Sequence, residues 1–275
     1  MSWTADLDPH FDRLWTEFES GLAARQVLDT RSRLLVLIGE CVVLGETDDV
    51  VSFTQQALDA GVPATDIHEL MLQACTYAGR PVVRRSLNAF ADVLIDRGRI
   101  DELRQAAIPA SGPTAPRSRE LEQPSWRILP ENRERVEALM QKYGWQGIGT
   151  GLRTQPTHHV QGVSFMDSLD EDYTRLWLNL IYAGMYSRGV LDDKTRTLCM
   201  IGECLALQSH AQTENHMRNA LVLGARPQEV LEVVWQSSQL VGMPRSLWGR
   251  EILQRILAEN GKSSTSGGEH VARVR

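Results

Sequence analysis

The sequence predicts an all-α protein made of two tandem copies of one helical unit, and three observations carry that prediction. Apolar residues recur at helical spacing over long stretches, with almost no strand-like alternation. Glycine and proline fall at the ends of those stretches, where helices stop and start. The chain also aligns with itself: Ile38-Gly39-Glu40-Cys41 recurs as Ile201-Gly202-Glu203-Cys204, and this offset of 163 (201 minus 38) holds without a gap from Asp29 to Pro81.

Taken in order, Leu7-Asp8 and Arg13-Leu14-Trp15 match Leu169-Asp170 and Arg175-Leu176-Trp177 once a one-residue shift is allowed, so the repeated unit spans Leu7 to Leu94 and Leu169 to Leu257. Leu34, Leu35, Leu37, Ile38, Cys41, Val42 and Leu44 fill one broad helical face, as do Leu198, Met200, Ile201, Cys204, Leu205 and Leu207, which predicts two core helices. In the second copy Ser209-His-Ala-Gln212 reads as a capping box opening a helix that runs to Leu223 and stops at Gly224. Pro227 opens the next helix, which ends at Gly242-Met-Pro244, and the parallel stops in the first copy are Gly61, Pro63 and Gly79-Arg-Pro81. Between the copies, Ile108 to Pro116 has a linker's composition, Pro130 to Met140 reads as a short charged helix, and Gly144, Gly147, Gly149 and Gly151 predict a loop before His158-His159 that could cover a site. The expected layout is a first repeat over 1–105, a bridge over 106–168, a second repeat over 169–258, and a disordered tail over 259–275 that is Ser- and Gly-rich from Gly261.

The 275 residues are 42% hydrophobic and 23% charged, enough for substantial cores and unlike a disordered chain. A net charge of -6 gives no attraction to nucleic acid or anionic lipid. Four cysteines with no C-x-x-C pair fit neither a disulfide scaffold nor a zinc module, and point to reduced thiols. With no leader-like start and no membrane-length apolar run, a cytoplasmic location is expected.

The order of motifs is identified with a known family. Leu191-Asp-Asp-Lys-Thr-Arg196, His216-Met-Arg-Asn-Ala-Leu-Val-Leu-Gly224, Glu229-x-x-Glu232 and Tyr77-Ala-Gly-Arg-Pro81 together resemble the carboxymuconolactone decarboxylase and AhpD-like family, over both repeats but not the bridge. The resemblance implies rings of helical subunits and hence a homo-oligomer. It also marks departures. The redox branch places a C-x-x-C seven and four residues before the motif histidine, where this chain has Ser209 and Gln212, or Glu46 and Asp49 in the first copy. There Phe53 replaces the histidine itself, and the glutamate usual after the motif arginine is replaced by Leu34 and Thr197.

His216 shares a helical face with Ser209, Thr213, Ala220 and Leu223, so its imidazole points to an apolar interior where its pKa could move near neutrality. Glu40 and Glu203 sit among apolar neighbours, where a carboxylate must be protonated or paired; Arg33 and Arg196, seven residues earlier, are the candidate partners. His216 and Glu203 are therefore the catalytic candidates, with Arg196, Glu40, Tyr77 and His210 as substrate-binding ones, although His210, Glu214 and Arg218 also read as an exposed charge ladder. No metal or other cofactor is expected. The function the resemblance implies is a cofactor-independent lyase or isomerase acting on a small carboxylated lactone or ring compound, with His216 as proton shuttle; the alternatives are peroxide reduction through a lone cysteine and a non-catalytic ligand-binding or scaffold duplicate.

Overall fold

The computed structural model describes residues 3–106 and 132–264, and among these every regular element is helical. The first copy holds α1 (Trp3–Leu7), α2 (Pro9–Ala23), α3 (Thr30–Leu44), α4 (Thr47–Asp59), α5 (Ala64–Ala78), α6 (Arg80–Asp96) and a short α7 (Asp101–Gln105). A bridge of α8 (Arg133–Tyr143), α9 (Trp145–Thr154) and α10 (His159–Leu169) leads to the second copy. That copy has α11 (Glu171–Leu178), a π-helix (Asn179–Met185), a 3₁₀ turn (Tyr186–Arg188), α12 (Asp193–Ala206), α13 (His210–Val222), α14 (Pro227–Val241) and α15 (Met243–Ser264). Helices starting at residues 30, 47, 64 and 80 recur at 193, 210, 227 and 243, each 163 later.

Local chemistry repeats with the helices. Asp29 accepts from the Ser32 backbone amide at 2.8 Å, and Asp192 does the same for Thr195 at 2.9 Å, so one repeated residue caps both core helices. After α3 the chain turns through Gly45 at φ +79, and after α12 it turns through Gln208 at φ +57. Gln208 has the only positive φ of a non-glycine among the described residues.

At the centre α3 crosses α12, and both are buried all round. The repeated Ile-Gly-Glu-Cys is the crossing point. A Cβ on Gly39 would stand 3.0 Å from Glu203 Oε1, and one on Gly202 would stand 2.5 Å from Glu40 Oε1. Each copy's glycine thus makes room for the other copy's glutamate.

The one-residue shift in the repeat has a physical form. α2 is an ordinary α-helix, whereas its counterpart begins as α11 and widens into the π-helix. Residues up to Trp15 and Trp177 match at an offset of 162, and Arg25 matches Arg188 at 163, so the π-helix absorbs one inserted residue. Gly184 permits that turn, because a Cβ there would lie 2.7 Å from the Asn179 carbonyl oxygen.

Several sequence expectations are corrected. The glycine-rich stretch is no loop: only Gly144, at φ +82, breaks the chain, while Gly147, Gly149 and Gly151 lie inside α9. They are there for close packing, with Gly149 against the Trp145 ring and Gly151 against the His159 ring, and that tertiary contact outweighs glycine's weak helix propensity. Ser209 precedes α13, yet its side chain makes no cap bond. The helix of the second copy's end runs through Gly261 to Ser264, where disorder was expected; the rest of that tail, and the linker from Ile108 to Pro116, lie outside the described residues.

Candidate functional site

Polar side chains buried on one side of the crossing form a single cluster drawn from both copies. Its hub is Gln73 on α5. Gln73 donates to both oxygens of Glu203, at 3.3 and 3.2 Å, and to the Arg196 carbonyl at 3.3 Å, while its own Oε1 accepts from Arg196 Nη1 at 3.2 Å. Arg196 Nη2 donates to Glu69 Oε1 at 3.0 Å, and Arg188 binds the other oxygen of Glu69. Arg196, Glu69, Gln73 and Glu203 have no exposed surface. The Arg196 guanidinium lies over the Tyr186 ring, 4.6 Å from its centroid.

Beside this network, Tyr77 Oη and His216 Nε2 are hydrogen-bonded at 3.0 Å, which leaves His216 Nδ1 buried without a partner. The His158 ring packs edge-on against His216 at 5.9 Å, and Asn219 and Thr157 hold His158 in turn. Thr76, next to Tyr77 on α5, donates its hydroxyl to the Gln73 carbonyl oxygen at 2.9 Å, so the Tyr77 end of that helix adjoins the hub of the cluster.

Burial sets the charge states. It pushes Glu203 up to about 8, with Gln73 and Arg196 pulling the other way and Glu40 adding to the rise. Burial, followed by the charge of His158, presses His216 down to about 3, so the imidazole is neutral rather than poised near pH 7 as its sequence context suggested. Tyr77 is raised, again first by burial. At neutral pH the site therefore holds a protonated carboxyl, a neutral phenol–imidazole pair, and two arginines sharing one carboxylate.

The other side of the crossing carries the equivalent positions with different chemistry. Glu40 is buried, raised to about 8 by desolvation, and bonded through Oε1 to the Ser237 hydroxyl at 2.5 Å. Gln236, the counterpart of Gln73, donates instead to the Leu22 carbonyl and Glu232. Phe53 stands for His216 and Leu240 for Tyr77. Arg25 takes the place of Arg188, pairing with Glu232 at 2.8 Å across the copies, but Arg33 forms no counterpart of the Arg196–Glu69 bridge.

Of the residues singled out by sequence, His216, Glu203, Arg196 and Tyr77 come together, and Glu40 stands on the opposite side of the crossing. His210 does not join them: it is exposed and its ring packs on Trp248 at 3.9 Å, while Glu214 and Arg218 pair with each other. Neither Glu40 nor Glu203 is ion-paired with the arginine two turns earlier, because Gln73 sits between Glu203 and Arg196. Gln73, Glu69 and Arg188 escaped the sequence reading as site residues, although Gln73/Gln236 and Glu69/Glu232 are among the identities of the repeat. His158 and His159 differ in role, since His159 is enclosed by Trp177 and Tyr182 away from His216.

The fold and this seam-built cluster define a duplicated helical protein whose crossing carries different polar groups on its two sides. The profile of the carboxymuconolactone decarboxylase family matches residues 9–92 and again 171–255, and the chain belongs to that family. It is also 31% identical over 94 residues, 34% of this chain and 67% of the relative, to an uncharacterized 15.0 kDa protein in the nqo9-nqo10 intergenic region of Paracoccus denitrificans. Among the described residues no helix is long and apolar enough to cross a membrane, and no group of histidine, cysteine and acidic side chains could hold a metal ion.

Proposed function

We propose that the Glu203–His216 cluster carries out acid–base lyase or isomerase chemistry on a small carboxylated lactone or ring compound. One observation carries the reading: a protonated Glu203, a neutral Tyr77–His216 pair and a cationic arginine pair meet in one buried cluster. Decarboxylation breaks the bond to the carboxylate carbon, and the electron pair passes to an enolate that must be protonated on carbon. Glu203 holds the proton that step needs. The neutral His216–Tyr77 pair offers a hydrogen bond to the developing oxyanion rather than a shuttled proton. The arginines hold the substrate's charge.

Thiol-based peroxide reduction is less well supported. All four cysteines are free, and burial raises every one of them, which disfavours the thiolate that such chemistry requires.

The test is turnover of a panel of carboxylated unsaturated lactones in D₂O. Carbon dioxide should be released, with one deuteron appearing on carbon. Glu203→Gln and His216→Ala should each lose on the order of 10²-fold in kcat with helical content intact. Undiminished turnover in His216→Ala would sink the reading.

The proposal extends to self-association. α2 exposes one apolar stripe, Phe11, Leu14 and Phe18, and its counterpart in the second copy exposes another, Tyr173, Leu176 and Leu180.

A further inference from the structure

Beside the cluster lies a cavity of about 360 Å³, within the range of about 300–1,000 Å³ usual for small-molecule sites. Its walls are mostly apolar: Leu72 from α5, and Leu180, Ile181 and Met185 from the π-helix. Arg188 and Thr76 are the polar groups that connect it to the network, Arg188 through Glu69 and Thr76 through the Gln73 carbonyl oxygen. The inserted residue of the second copy is thus spent on a wall of this cavity.

The electrostatics beside that wall are unbalanced. Two guanidinium groups, Arg188 and Arg196, share the single carboxylate of Glu69. Glu203 adds no charge while it keeps its proton. On the other side of the crossing one arginine, Arg25, meets one carboxylate, Glu232, and Arg25 is about half exposed. Both Arg188 and Arg196 also leave a buried Nε–H without an acceptor. A buried surplus of positive charge with idle donors is costly until an anion supplies the missing acceptor.

We propose that this cavity is a carboxylate subsite, in which the π-helix receives the apolar ring of a small organic acid and Arg188 binds its carboxylate. This rests on reading the cluster as a substrate site and adds where the ring and the carboxylate sit and two residues, Arg188 and Leu72, that select them. The ring lies against Leu72, Ile181 and Met185, and the carboxylate completes the charge balance that Glu69 leaves open. The equivalent of Leu72 in the second copy is Trp235 (235 minus 72 is again 163), so the matching position on the other side carries a far larger side chain.

The experiment is calorimetric titration of the full chain with benzoate, using benzamide as the neutral isostere. Benzoate should bind saturably and benzamide about 10-fold or more weakly, the size expected for losing a charge-assisted bond. Arg188→Met should weaken benzoate about 10-fold or more, and Leu72→Trp, which copies the bulk already present at position 235, should abolish binding without touching a charge. Arg188→Lys keeps a cation for Glu69 but loses the guanidinium fork, so a loss of about 10-fold there supports the assignment even if Arg188→Met fails to fold. No saturable binding by the natural chain, equal affinity for benzamide, or benzoate binding untouched by Leu72→Trp would each overturn it. Binding that behaves as expected while no lactone is turned over leaves this inference standing and removes the lyase reading.

Discussion

Two buried carboxyls dominate the residue scale, and both shift the same way. Glu40 and Glu203 have folded values of about 8 against ordinary values near 4.5, so the folded state binds protons that the unfolded chain has released. Their contribution to stability is complete below about pH 4.5 and is lost as the pH rises through about 8, at a slope of about 1 kcal/mol per pH unit for each group. Urea denaturation between pH 5 and pH 9 should therefore show falling stability, and Glu40→Gln should flatten the fall while leaving turnover in place. If Glu203 is the acid, kcat should decline above about pH 8 as its proton is lost. A rate that holds constant to pH 9.5 excludes that role. The sequence pointed to both carboxyls, because an acid written twice inside apolar helices must be neutral or paired. It placed His216 against an apolar interior but did not show how far its pKa would fall, since the His158 charge and the bridge that complete that burial lie far off in the chain.

At the scale of elements, the turn after α12 and the π-helix are the informative departures from symmetry. Gln208 adopts a left-handed conformation at the place where Gly45 serves the first copy. Gln208→Gly should raise stability by about 1 kcal/mol, since an L side chain pays that much strain in this region; thermal unfolding reads it directly. Gly202→Ala should cost more than Gly39→Ala, because the added methyl meets Glu40 Oε1 at 2.5 Å in one case and Glu203 Oε1 at 3.0 Å in the other. A loss of about 1–3 kcal/mol is expected for Gly202→Ala, and equal stability for both variants would show that the crossing is looser than its geometry implies. The helix starts near Ala64, Arg80, Pro227 and Met243 were legible from proline and glycine. The bridge was not, because Gly147, Gly149 and Gly151 look like loop residues until the rings of Trp145 and His159 are in place.

For the whole molecule, what matters is that the charged pairs run between copies. Arg188 and Arg196 of the second copy hold Glu69 of the first, while Arg25 of the first holds Glu232 of the second. Glu69→Gln should cost about 3–5 kcal/mol, since it strands the fully buried Arg196, whereas Glu232→Gln should cost about 1 kcal/mol because Arg25 is half exposed and can turn to solvent. Chemical denaturation of the two variants side by side checks the asymmetry. The sequence disclosed two units and where they repeat, yet it could not say that Gln73 of one would serve Glu203 of the other, because an internal alignment records equivalence and says nothing of contact.

The π-helix has an evolutionary consequence. Had the two units remained identical separate chains meeting at the same crossing, every change would be written into both pockets at once, and an inserted residue would widen both first helices together. Covalent fusion removes that constraint. Here the insertion falls in one unit only, alongside Leu72 against Trp235 and His216 against Phe53, so each side of the crossing has been able to change without the other.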